Sequence, residues 1–150
     1  MKIPDEINEA IKITYQVLKR VHPDININDD STLWGYCYEA SSILSNALYK
    51  LSGISGTIVH GEIAHNPRCK SQYWDYEHTW VEYKGWTIDI TCGQFRHIIL
   101  NIPSVYIKHG KHKWFLLDKN NFYLKHRYDW VYNIEYNLMG KISDKLRGGK

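Results

Sequence analysis

His78-Thr79-Trp80-Val81-Glu82-Tyr83-Lys84-Gly85-Trp86-Thr87-Ile88-Asp89-Ile90-Thr91 is the stretch on which the fold turns. β-Branched and aromatic residues fill both halves and Lys84-Gly85 separates them, which reads as two antiparallel strands joined by a two-residue turn. That turn pairs Tyr83 with Trp86 and, counting outward, Trp80 with Asp89 and His78 with Thr91. His78 and Asp89 become diagonal neighbours on one face, about 7–8 Å apart at the backbone, within reach of an imidazole and a carboxylate leaning together. A four-residue turn over 83–86 keeps this register, whereas a three-residue or bulged turn displaces it.

Upstream of the hairpin the period changes. Over Asp5–Val21 the apolar residues Ile7, Ala10, Ile11, Leu18 and Val21 recur at helical spacing, acids occupy the first turn and Pro23 stops the run. Residues 24–32 hold Asn26, Asn28, Asp29, Asp30 and Ser31, a polar loop of turn and N-cap formers. Cys37, Ala40, Ile43, Leu44, Ala47, Leu48 and Leu51 then follow i, i+3, i+4 steps, with Gly53 placed for a C-cap, so a second helix is expected over 37–51. Further short strands are expected at 57–59, 98–102, 105–107 and 114–117, with the hairpin strands at 78–83 and 86–91. The element type through Tyr136 stays open, and 141–150 reads as a frayed tail. The fold class is therefore α+β, with N-terminal helices packed on an antiparallel sheet.

The 150 residues suit a single domain over 1–150, and 43% apolar with 23% charged residues is a globular composition that excludes disordered, collagenous and coiled-coil chains. A net charge of +3 is too small to imply nucleic acid or an anionic membrane without a concentrated patch. The nearest to one, Lys108-His109-Gly110-Lys111-His112-Lys113, reads as a solvated hairpin tip between the apolar runs around Tyr106 and Phe115. If it did bind nucleic acid, affinity would fall steeply with salt. Neither a signal peptide nor a membrane span is expected, since Met1-Lys2-Ile3-Pro4-Asp5-Glu6 opens no apolar run and no later window reaches about 18 uncharged apolar residues. Three cysteines at no regular spacing then fit reduced thiols in the cytoplasm. The 12 Tyr and 6 Trp against 3 Phe favour half-buried positions such as the walls of a cleft.

Cys37 stands at the start of the second helix, directly after Trp34-Gly35-Tyr36. Unpaired N–H groups and the positive end of the helix dipole favour a thiolate there, and the same groups suit a developing oxyanion. Taken singly, each candidate has a plainer reading. Cys37 continues the apolar stripe, His78 suits a surface strand, and Asp89 suits the outward position of an alternating strand. Together they supply nucleophile, base and orienting acid, the roles that thiol acyl transfer needs.

Trp34-Gly35-Tyr36-Cys37-Tyr38-Glu39-Ala40, then His78-Thr79-Trp80-Val81-Glu82 and Ile88-Asp89-Ile90-Thr91, resemble the transglutaminase-like superfamily of papain-type cysteine enzymes, in the same Cys, His, Asp order. The resemblance covers about 33–95, leaving 96–140 as a C-terminal extension. It implies a papain-like core, a nucleophile at Cys37, a base at His78, an orienting acid at Asp89, and acyl chemistry on amides or thioesters without a cofactor or metal. Gly35-Tyr36-Cys37-Tyr38-Glu39 is also similar to the cysteine motif of arylamine N-acetyltransferases, although Leu33 and Trp34 replace the arginine and glycine expected before it. Transglutaminases usually carry tryptophan where this chain has Tyr38, so hydrolysis and transfer both stay open. The expected partner is a peptide or protein substrate or a small acyl donor, with a catalytically silent peptide-binding domain as the alternative.

Four further residues join the candidate site: Trp34, Tyr36 and Trp80 as a stacking wall, and Gln94 as an oxyanion donor. Trp74 is a further nearby aromatic. Other clusters carry less. His60-Gly61-Glu62 imitates the H-x-E of zinc deaminases but lacks their Pro-Cys-x-x-Cys partner, and His60, His65, Cys69 and His78 match no closed zinc spacing. Cys92 is expected to be buried beside the sheet.

Overall fold

The computed structural model describes residues 1–63, 77–96 and 101–117. Helix α1 spans Asp5–Val21, and its buried stripe of Ile7, Ala10, Ile13, Val17 and Leu18 is the face the apolar period predicts, shifted from Ile11 and Val21 toward Ile13 and Val17. Thr14 sits in that stripe because its hydroxyl donates to the Ala10 carbonyl at 2.7 Å. Helix α2 spans Cys37–Ser52 and ends as expected on Gly53, whose φ of 78° lets its N–H reach the Tyr49 carbonyl at 2.7 Å. Between the helices, Asp29 caps a short 3-10 turn at Asp30–Leu33 by accepting from the Ser31 N–H.

Five strands follow: β1 (Thr57–Ile63), β2 (Glu77–Tyr83), β3 (Trp86–Asp89), β4 (Tyr106–His109) and β5 (Phe115–Leu117). They form one antiparallel sheet in the order β4-β3-β2-β1-β5. The hairpin has the expected register, with Tyr83 opposite Trp86, Glu82 opposite Thr87 and Val81 opposite Ile88. Lys84 (φ 48°) and Gly85 (φ 80°) both adopt positive φ, the two-residue turn that matches strand twist.

Alternation along the strands gives the sheet two covered faces. Val81, Tyr83, Trp86 and Ile88 pack against both helices together with Ile43, Leu44 and Leu48. Val59, Trp80 and Tyr106 point the other way and join Cys92, Phe95 and Ile102 in a second apolar cluster. The architecture is α+β.

The structure corrects four expectations. β1 runs to Ile63 rather than stopping at Val59, held by β2 on one side and β5 on the other. β3 stops at Asp89 instead of Thr91, because the Thr91 N–H turns back to Asp89 Oδ1 at 3.2 Å, so His78 has no strand partner at Thr91. The strand expected at 98–102 fails where it is described: Asn101 has φ 67° and Ile102 lies outside any strand, while 97–100 fall outside the described residues. Lys108–Lys113 is no hairpin tip, since β4 and β5 occupy opposite edges of the sheet and the chain between them crosses one of its faces. His65, Cys69, Trp74 and everything beyond Leu117 lie outside the described residues. Among those described, no helix is long and apolar enough to cross a membrane.

Candidate active site

Cys37 begins α2 with no side chain capping that terminus, so the first-turn N–H groups are left to the surroundings of the thiol. Gly35 makes the entry: its φ of 86° is the left-handed conformation that a residue with a Cβ adopts at a cost. The Tyr36 N–H then donates to the Leu33 carbonyl at 3.1 Å, and the Tyr36 carbonyl accepts from Ala40 at 2.9 Å. His22 braces the same turn from the end of α1, its ring 4.4 Å from that of Tyr36 and its Nε2 2.5 Å from Glu39 Oε2. Tyr38 stacks on His60, which pairs with Thr79, so the first turn of α2 lies over the start of β2. Cys37 is 5% exposed.

His78 and Asp89 meet as the diagonal pairing implies. His78 Nε2 donates to Asp89 Oδ2 at 2.6 Å, with both side chains buried. Phe95 sets its ring edge-on to the imidazole at 4.8 Å. Burial pushes the His78 pKa down, but the Asp89 charge, the hydrogen bond to it and contact with Cys37 outweigh that effect and raise it to about 9. With Nε2 committed to Asp89, Nδ1 is the ring nitrogen left for the thiol. Burial alone would raise the Asp89 pKa, yet the charge of His78 and the hydrogen bonds from His112 and His78 hold the carboxyl well below its usual range. The pair is thus built to stay ionised in a dry site, where Coulomb attraction is strong.

Cys92 has the opposite electrostatics. Burial and the neighbouring Asp89 charge push its thiol far up, so it remains protonated and hydrogen-bonds to Asp89. This matches the expected buried cysteine beside the sheet.

The four additional candidates separate. Trp34, 46% exposed and edge-on to Phe95 at 5.6 Å, stands at the surface beside the Cys37 turn. Tyr36 is half-buried against His22. Trp80, 2% exposed, belongs to the second apolar cluster and offers no open wall. Gln94 lies in the 3-10 turn Cys92–Phe95, where its Oε1 accepts the Gly35 N–H at 3.3 Å and its Nε2 donates to the Thr91 carbonyl at 2.9 Å. That amide joins the loop before Cys37 to the turn after Asp89.

The sequence reading missed His112. Its Nε2 donates to the same Asp89 Oδ2 at 2.8 Å from the strap between β4 and β5. The available signal was an apolar-facing position between Lys111 and Lys113, which the surrounding charge outweighed.

Among the described residues, Asp89, Cys92 and His112 each offer one ligand atom within 4.8 Å of the others, a carboxylate, thiol and imidazole set that suits zinc. Those same atoms already hydrogen-bond through Asp89. His60 is held apart by Thr79 Oγ1 at 3.3 Å.

No protein-family model, curated protein or solved structure matches the chain. A thiol at a helix N-terminus, beside an imidazole whose far nitrogen is held by a buried carboxylate, is an arrangement suited to nucleophilic attack on a carbonyl.

Proposed function

We propose that this protein is a transglutaminase-like thiol enzyme that cleaves or transfers an acyl group at a peptide or side-chain amide. The observation that carries the reading is the 2.6 Å His78–Asp89 bond, with Cys37 against the same imidazole at the start of α2. In the reacting form the Cys37 proton rests on His78 as a thiolate–imidazolium pair, and the sulfur attacks the amide carbon. As the C–N bond breaks, His78 returns that proton to the departing amine, leaving an acyl thioester on Cys37. Water or a second amine then attacks the thioester while His78 takes its proton, and the thiol is released. In this reading the α2 N–H groups, which no side chain caps, receive the developing oxyanion. No cofactor enters these steps, and the reducing cytoplasm is the compartment in which Cys37 stays a thiol.

The 5% exposure of Cys37 supports a second reading, a silent domain on the same core that binds a peptide. Iodoacetamide labelling, resolved by peptide mass spectrometry, separates the two. The enzyme reading expects native Cys37 to label at least about tenfold faster than in unfolded protein and to lose about 100-fold in His78→Ala. A native Cys37 that labels no faster than the unfolded chain and ignores His78→Ala sinks the enzyme reading in favour of the binding domain.

A further inference from the structure

The strap between β4 and β5 is pinned at both ends. At its start the Gly110 N–H donates to the Gly85 carbonyl at 2.8 Å and Thr87 Oγ1 donates to the Gly110 carbonyl. At its end β5 pairs with β1. Crossing the sheet between these points, the chain turns Lys111 and Lys113 to water and buries the His112 side chain completely.

That histidine is held from every side. Its ring stacks on Tyr106 at 4.6 Å and 12°, and meets Trp80 edge-on at 5.0 Å. The Trp114 N–H donates to its Nδ1 at 3.2 Å, so the proton of the neutral ring must sit on Nε2, the atom 2.8 Å from Asp89 Oδ2. Asp89 thus receives the Thr91 N–H on Oδ1 and two imidazole donors on Oδ2. Without His112, the imidazole donor left on Oδ2 would be His78, the group the carboxylate orients, with the weaker Cys92 thiol as the other side-chain partner of Asp89.

We propose that His112 is a positioning residue of the Cys37–His78–Asp89 site: its Nε2–H fixes Asp89 Oδ2 so that the carboxylate keeps His78 turned toward the thiol. This rests on the acyl-transfer reading of the site for its role, but not for its geometry. The groups facing Asp89 are His78 from β2, Cys92 and the Thr91 amide from the segment after β3, and His112 from the strap. Tyr15 of α1 also feels its charge, with its own hydroxyl donated to the Ile90 carbonyl at 2.9 Å. Among these, the Cys92 thiol is a weak donor to Asp89, whereas His112 supplies a second imidazole donor to Oδ2 and is packed between aromatic rings. Such second-layer donors orient the groups that react and keep them from drifting out of line.

Two substitutions separate the donor from the ring. His112→Phe keeps an aromatic ring between Tyr106 and Trp80 but loses the donor, whereas His112→Gln keeps an N–H near the Nε2 position and loses the ring. Both are read by Cys37 labelling with iodoacetamide at neutral pH and by NMR titration of the His78 ring nitrogens, with thermal unfolding checking that each variant is folded.

In His112→Phe, labelling is expected to slow about tenfold and the His78 midpoint to fall by about one unit, as misalignment weakens the pair. In His112→Gln, labelling is expected to stay within about threefold of the parent protein. A folded His112→Phe with parental labelling and titration overturns the proposal, as does a folded His112→Gln as slow as His112→Phe. If His112→Phe does not fold, the Gln variant decides alone: labelling within about threefold of the parent supports the proposal, and labelling slowed about tenfold overturns it. If His78→Ala leaves Cys37 labelling unchanged, the catalytic reading fails by itself. The His78 titration in His112→Phe then still shows whether His112 positions Asp89.

Discussion

Cys37 and Cys92 are both buried, yet their settings differ as a proposed nucleophile and a bystander should. One opens a helix beside an imidazolium; the other sits against a carboxylate that keeps it protonated. The difference lies in Asp89, whose charge favours the protonated forms of both His78 and Cys92. Asp89→Asn keeps the size of that residue and removes the charge. The His78 midpoint should then fall from about 9 toward or below the ordinary 6.5, since burial is left with little to oppose it. Ring-nitrogen NMR measures this directly, and Cys37 labelling at neutral pH should slow at least about tenfold in the same variant. An unchanged His78 midpoint would mean the 2.6 Å bond contributes no charge stabilisation. His78 and Asp89 were legible in advance because strand alternation and a two-residue turn place diagonal residues together. His112 was not, because its partner lies 23 residues away on another strand and no local period links them.

The hairpin and α2 carry most of the local information. Lys84-Gly85 makes a turn with both central residues at positive φ, a conformation asparagine tolerates better than lysine. Among the described residues, Lys84 has exposed compensation in a 3.6 Å ion pair to Glu6 and a position 5.2 Å from the Tyr83 ring centre. Lys84→Asn should therefore stabilise the protein by roughly 0.5 kcal/mol, seen as a higher urea midpoint at unchanged slope. A lower midpoint would show that the Lys84 contacts outweigh the turn preference. The clamp between the two 3-10 turns follows a different logic. Asp30 receives Arg96 at 2.9 Å and Ser104 at 3.0 Å, and Gly93 leaves room for its carboxylate where a Cβ would come within 2.5–2.7 Å. Nothing in the local sequence pairs Asp30 with Gly93, because the contact exists only after both segments have docked.

For the molecule as a whole, the buried pair links stability to pH. His78 has its folded pKa raised from 6.5 to about 9, so its contribution is complete below 6.5 and is lost as pH rises through 9. Asp89 has its folded pKa lowered, so its contribution is present above 3.8 and disappears as pH falls toward the depressed value. Thermal unfolding should therefore show Tm falling between pH 6.5 and 9.5, with much of that slope absent in Asp89→Asn. A flat parental profile across that interval would remove the basis for the linkage. The sequence alone determined the two helices, the hairpin register and the meeting of His78 with Asp89, because each depends on short-range periodicity or on one turn. Only the tertiary structure decided that β4 and β5 lie at opposite edges, that the strap between them buries His112 against Asp89, and that Gln94 bridges the Gly35 loop to the Thr91 turn. Those contacts join segments with no common local pattern, and they take shape only when burial of the second sheet face forces polar groups there to find partners.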